Sequence, residues 1–169
     1  VQVAFFRNLN LGQRRSPSRV QLLAAFADEG AVDVLSHQGN GTVAFRHPVG
    51  RSPQDLADAV VTRLGPLCEY DDVVLVRAVD WLRDLGLASY PDGCELTLMD
   101  GPGPFPEPLP WEPDRGEVTV LAAGARHAIV LNHRDRRSNG TPVVEWRLGV
   151  PATSRGAGTV LRLLERLER

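Results

Sequence analysis

The stretch Gln38-Gly39-Asn40-Gly41 lies between two short apolar runs, AVDVLSH and GTVAFRH, and each run has a helix signal on its far side. Asn-Gly adopts the left-handed backbone that joins antiparallel strands, so these runs are expected to fold back as a β-hairpin. Upstream, VQVAFFR reads as a buried strand. Ser16 and Pro17 then read as helix cap and first helical position, with Val20, Leu23, Ala24 and Ala27 on one face, Leu22 and Phe26 beside it, and Gly30 as the stop. Downstream, Ser52-Pro53-Gln54-Asp55 repeats the capping pattern. Leu56, Ala59, Val60 and Leu64 form the apolar stripe of a second helix, which Gly65-Pro66 is expected to end. DDVVLVRAV supplies a fourth strand, so the order through residue 78 is βαββαβ, the ferredoxin-like pattern of an antiparallel sheet with both helices on one face.

The remainder predicts a second, smaller α+β subdomain, residues 79–169, packed on the first, which spans residues 1–78. Asp80 caps a short helix over WLRDLGLA, and CELTLM is a strand. EVTVLAA and HAIVLNH form a hairpin around Gly124-Ala125-Arg126, VVEWRL adds a further strand, and GTVLRLLERLER is a helix with Val160, Leu161, Leu164 and Leu167 on its stripe. Residues 100–116 carry six prolines, which excludes helix and predicts an extended, exposed loop with Trp111 as its exposed aromatic. The whole is of α+β class.

No apolar run approaches the roughly 20 residues of a spanning helix, so no membrane partner is expected. Cys68 and Cys94 form neither a CxxC pair nor a disulfide framework, and both read as small buried fillers of a cytoplasmic protein. All 19 basic residues are arginine, and they are unevenly placed. Residues 1–51 hold six arginines against three acids, residues 52–125 four against fourteen, and residues 126–169 nine against four. A middle segment of net charge −10 speaks against a broad nucleic-acid face, while basic ends fit a local anion site.

Phosphate-loop, dinucleotide, zinc-protease and nucleophile-elbow motifs are absent from the sequence. His127 and His133, six residues apart, are too far along one strand to chelate one ion, so neither metal nor cofactor is expected. Two helix starts remain. In FFRNLNLGQRRSPSRV, Arg7 leaves the strand and Asn10 and Gly12 make the turn, with Arg14 and Arg15 as flanks. In PATSRGAGTV, Thr153, Ser154 and Arg155 precede the glycines that open the last helix. Helix N-termini, glycines and guanidinium groups are the donors an anion needs. The competing reading is that Ser16 and Thr153 only cap helices and the arginines are solvated. A third basic loop, Arg134 to Gly140, either faces solvent or completes the site.

These residues resemble a bacterial family of unknown function, domain of unknown function 1697. Its members have a strand ending in Arg-Gly-Ile-Asn-Val-Gly-Gly and a carboxyl-terminal Thr-x-Arg-Asn-Trp-Asn-Thr-Val. Arg7, Asn10 and Gly12 fall on the first motif, Thr153, Arg155, Thr159 and Val160 on the last, and Ser138 where the family tends to have a serine. Asn8 and Gln13 stand for glycines, and Gly156-Ala157-Gly158 for Asn-Trp-Asn, as in a divergent member. The resemblance implies ferredoxin-like α+β subdomains and a bacterial cytosolic origin, and no activity.

The expected function is binding of a small anionic or nucleotide-like ligand by loops from both chain ends, through Arg7, Asn10, Gly12, Ser138, Thr153, Arg155 and Thr159. The alternatives are an enzyme acting on such a ligand, with His133 or Asp135 as base, and a module that self-associates or docks a protein through a sheet edge or the Trp111 loop.

Overall fold

A computed structural model describes residues 1–101, 105–133 and 139–169. The chain divides into two compact units, Val1–Asp84 and Leu85–Arg169. The first contains β1 (Gln2–Phe6), α1 (Arg19–Asp28), β2 (Val32–His37), β3 (Thr42–Arg46), α2 (Pro53–Cys68), β4 (Val74–Ala78) and α3 (Val79–Asp84). Its four strands form one antiparallel sheet in the order β2-β3-β1-β4. Register and burial explain that order. Ala4 lies opposite Val43 on one side and Val76 on the other, so alternate residues of the three strands share a face. Ala4, Phe6, Val43, Phe45, Val74 and Val76 on that face meet Leu22 and Phe26 of α1 and Leu56, Val60 and Leu64 of α2 in one core. Both helices therefore cover the same side of the sheet, as the βαββαβ reading requires.

Three details of the helices differ from the sequence reading. The cap of α1 is Ser18, whose side chain accepts from the Gln21 N–H while the Gln21 side chain accepts from the Ser18 N–H. This reciprocal pair satisfies two end donors at once, which Ser16 could not do, and it moves the helix start two residues on. The buried face is Leu22, Ala25 and Phe26, whereas Val20 is 77% exposed. Phe26 decides this by packing edge-on to Phe6 at 6.0 Å and against Phe45 at 5.1 Å. Ser52 and Pro53 open α2 as expected, but the helix runs through Gly65 and Pro66 to Cys68 and ends at Glu69, in left-handed backbone.

Glu29 at the end of α1 joins three segments. Its carboxylate accepts from Arg51 at 2.8 Å and from Arg63 Nε and Nη2 at 2.9 and 2.7 Å, while Arg51 also donates to the Glu29 carbonyl. An acid at a helix C-terminus is opposed by the dipole, and the two guanidinium groups overcome this. Bonds from Arg51 first, then Arg63, hold the Glu29 carboxyl below its usual value of 4.5. A depressed carboxylate stabilises the fold above the unfolded pKa, and that stabilisation is lost as pH falls through the folded pKa. Glu29→Gln is therefore expected to melt below the parent at pH 7, with the gap closing below pH 4.5. Melting curves at several pH values check this, and a gap independent of pH would contradict it.

The second unit contains β5 (Cys94–Met99), β6 (Val118–Gly124), β7 (His127–Asn132), α4 (Gly140–Leu148), β8 (Ala152–Gly156) and α5 (Ala157–Leu167), after a short 3-10 turn at Leu87–Ser89. Its sheet order, β6-β7-β5-β8, repeats that of the first unit strand for strand. Residues 143–148, VVEWRL, lie in α4 rather than in a strand. Val143 and Val144 are buried side by side and Gly149 closes the helix in left-handed backbone, which alternation in a strand would not permit. The place that α1 holds in the first unit is taken here by the proline-rich segment. Of its described residues, Phe105 is buried in the core with Met99, Val120, Val130 and Val144. Trp111 packs 5.5 Å from Phe105 and bonds to Val120 through both its N–H and its carbonyl. Trp111 is thus half-buried against the core, and the exposed indole is Trp146, at 72%. No helix among the described residues is long and apolar enough to cross a membrane.

Candidate functional site

At the end of β1 the Phe6 N–H bonds to the Gly41 carbonyl and the Arg7 N–H to that of Val73, both at 2.9 Å. Asn8 then turns the chain out with φ 53°, a conformation that asparagine tolerates better than most residues. The loop that follows is bonded to itself and to the β2–β3 hairpin. Leu11 N–H donates to Gly39 O, Gly12 N–H to Pro17 O, Gln13 N–H to Asn10 O and Ser16 N–H to Gln13 O, while Asn10 N–H donates to Ser16 Oγ. Gly12 lies at φ 76° with open space where a Cβ would stand. Asn10 and Gly12 therefore shape the loop, and Ser16 braces it rather than capping α1.

Arg7 is the charged centre of this loop. Its Nη1 donates to both oxygens of Asp72, at 2.9 and 3.1 Å, and Asn8 Nδ2 adds a bond to Asp72 at 2.8 Å. The Tyr70 hydroxyl donates to the Arg7 carbonyl at 2.7 Å, and the Asp72 carboxylate also takes the Val73 N–H at 2.7 Å. The Arg7 side chain keeps 27% of its surface exposed. A guanidinium held in this way has its plane set before any ligand arrives. Tyr70 and Asp72 were missed by the sequence reading, although EYDD ahead of β4 held them. An antiparallel β1–β4 pair necessarily brings the start of β4 beside the end of β1. Arg14 is exposed, and Arg15 pairs with Glu69 at 3.5 Å with both side chains mostly in water.

The carboxyl-terminal motif has a different form. Thr153, Ser154 and Arg155 lie in β8 and not in a loop, and the residue that opens α5 is Gly156, which makes no side-chain cap bond. Thr153 faces away from any capping position because strand pairing with β5, Thr153 opposite Leu98 and Arg155 opposite Leu96, sets its direction. Arg155 is 6% exposed, and its Nη1 donates to Thr153 Oγ1 at 2.9 Å and to the Ser154 carbonyl at 2.8 Å. Ser154 points to the opposite face, where its hydroxyl bonds to Thr97 and Thr141 at 2.8 Å each. There Glu95 accepts the Gly140 N–H at 3.3 Å at the start of α4. Thr159 accepts from Arg162 at 3.2 Å. Ser138, Asp135 and the arginines at 134, 136 and 137 lie outside the described residues. His133 bonds to Thr119 at 2.7 Å on the surface.

Arg155 has a counterpart that the sequence reading passed over. Arg77 occupies the same place in β4, one residue before the strand ends and the next helix begins. It is 1% exposed, donates to the carbonyl of the preceding residue at 2.8 Å, and lies 5.6 Å from the Trp81 ring. The shared signal was small, arginine followed by alanine or glycine and then a helix, in VRAV and SRGA. Arg7, Asn10 and Gly12 thus belong to the first unit, and Thr153, Arg155 and Thr159 to the second. Among the described residues no group of three or more His, Cys, Asp or Glu side chains is placed to hold a metal ion.

Comparison with known proteins matches residues 1–96 to the family described as "Protein of unknown function (DUF1697)". The match covers the whole first unit and β1, the Arg7 loop and Asp72 with it. No curated protein and no solved structure matches the chain.

Proposed function

The chain belongs to the DUF1697 family, and on that premise we propose that it binds a small anionic or nucleotide-like ligand through the loop that follows β1. The observation that carries this reading is the Arg7 guanidinium, oriented by the two bonds it donates to Asp72 and still partly open to solvent, at the mouth of a loop closed on itself by backbone bonds. Asn10 and Gly12 hold the loop's shape, so the ordering entropy is spent in folding rather than in binding. A carboxylate beside the guanidinium offsets part of its charge, which favours an anion of low charge over a polyphosphate. Thr153, Arg155 and Thr159 lie in the second unit, and the Arg7 loop of the first unit carries this proposal by itself.

A thermal-shift series with nucleotides, phosphorylated metabolites and carboxylates tests this. A ligand present at about 100 times its Kd stabilises the fold by roughly 2.7 kcal/mol. The expected result is a shift in the parent that Arg7→Ala abolishes and Arg7→Lys reduces, each read against the variant's own unliganded melt. No shift with any compound, or equal shifts in parent and Arg7→Ala, would overturn the proposal.

A further inference from the structure

The second unit carries a groove of about 340 Å³ between the end of the proline-rich segment and α4, lined by Pro113, Asp114, Glu117, Pro142, Val143 and Trp146. Its walls are apolar rings and a valine, and its charged groups are two carboxylates against one guanidinium, that of Arg115. Trp146 is the informative residue. An indole of roughly 250 Å² full surface left 72% exposed on a helix whose neighbours Val143 and Val144 are buried is a large apolar plane with no fold-level role. A tryptophan face attracts a cation through its quadrupole, and nearby carboxylates reinforce that attraction without displacing the apolar contact. A chloride or phosphate would meet two carboxylates against the single Arg115 guanidinium, and a neutral ligand would leave the net negative charge unused.

From this complementarity we propose that the groove binds a small organic cation, an alkylammonium whose head sits on the Trp146 face near Asp114 and Glu117 and whose apolar body lies against Pro113 and Pro142. The volume suits a ligand of that size, being at the lower end of small-molecule sites. The site lies wholly in the second unit, has the opposite charge preference to the Arg7 loop, and stands or falls independently of it.

The probe is choline, titrated calorimetrically at constant ionic strength, against its neutral isostere 3,3-dimethylbutan-1-ol. Choline is expected to bind saturably and at least about fivefold more tightly than the isostere, a difference of roughly 1 kcal/mol as for a partly desolvated cation–π contact. Trp146→Leu, at an exposed position, is expected to keep its circular dichroism and lose that binding. Asp114→Asn with Glu117→Gln is expected to narrow the preference for choline without abolishing it, since the Trp146 face remains. Absence of saturable choline binding overturns the proposal. So does discrimination below fivefold, or choline affinity unchanged in Trp146→Leu.

Discussion

Phe26→Ala is expected to cost the fold about 3–5 kcal/mol, as large aromatic truncations in packed cores do. The ring is fully buried and touches Phe6 and Phe45, one from each of the two inner strands, so its removal leaves a cavity whose walls belong to a sheet that cannot collapse inward. Against a total stability of about 5–15 kcal/mol this lowers the melting temperature by on the order of 10 °C. Val20→Ala, one turn and a half earlier on the same helix, is the matched control. Its side chain is in water, and a change within about 0.5 kcal/mol is expected. Equal losses from the two variants would mean that α1 presents a different face to the sheet.

Gly41→Ala is expected to cost about 2–5 kcal/mol, combining roughly 1–2 for a left-handed residue with a Cβ and about 1–3 for overpacking. Gly41 has φ 68°, and a Cβ there would stand 2.9 Å from Phe6 Cβ and 3.0 Å from Leu9 Cβ. Neither neighbour has room to move, since Phe6 and Leu9 are both core residues. The displaced backbone would pull Leu9 from its place and loosen the Arg7 loop, so any ligand response of the parent is expected to fall with stability. Two other glycines calibrate the effect. Gly39→Ala has nothing within 4 Å and ordinary backbone, and is expected to be near neutral; Gly12→Ala at φ 76° in open space is expected to show the backbone cost alone. Urea unfolding of the three variants separates strain from clash, and similar values for Gly41 and Gly12 would contradict the steric argument.

The first unit was legible because each of its signals is local. Asn40-Gly41 marks the hairpin, Ser52-Pro53 the second helix start, and short apolar runs the strands. Where two local signals competed, the sequence did not choose: Ser16 and Ser18 both flank Pro17, and Gln21 at the third helical position settled it for Ser18. In the second unit VVEWRL has the β-branched and aromatic residues of a strand, and becomes α4 because its paired valines cover the Met99 face of the sheet. The proline-rich segment reads as solvent-exposed from composition, yet Phe105 enters the core and Trp111 packs half-buried against it, between the first two strands of the unit as α1 is in the first. At the candidate site, the grouping of Arg7, Asn10 and Gly12 in one loop was legible from the order of the residues. Asp72, 65 residues away from Arg7, was not, because nothing in either segment's own pattern records the other.

The sequence by itself determined the α+β class, the βαββαβ order of the first unit, the two hairpins and the loop that carries Arg7, all of which rest on periodicity, turn chemistry and capping within a few residues. Only the tertiary structure decided which face of α1 is buried, that the second sheet repeats the first without a sequence repeat, that Thr153–Arg155 is strand, that Asp72 holds Arg7 and that Trp146 rather than Trp111 faces water. The physical reason is common to all five. Burial and partner choice depend on residues brought together across the chain by strand pairing, and a side chain's local sequence sets what it can do but not what it meets.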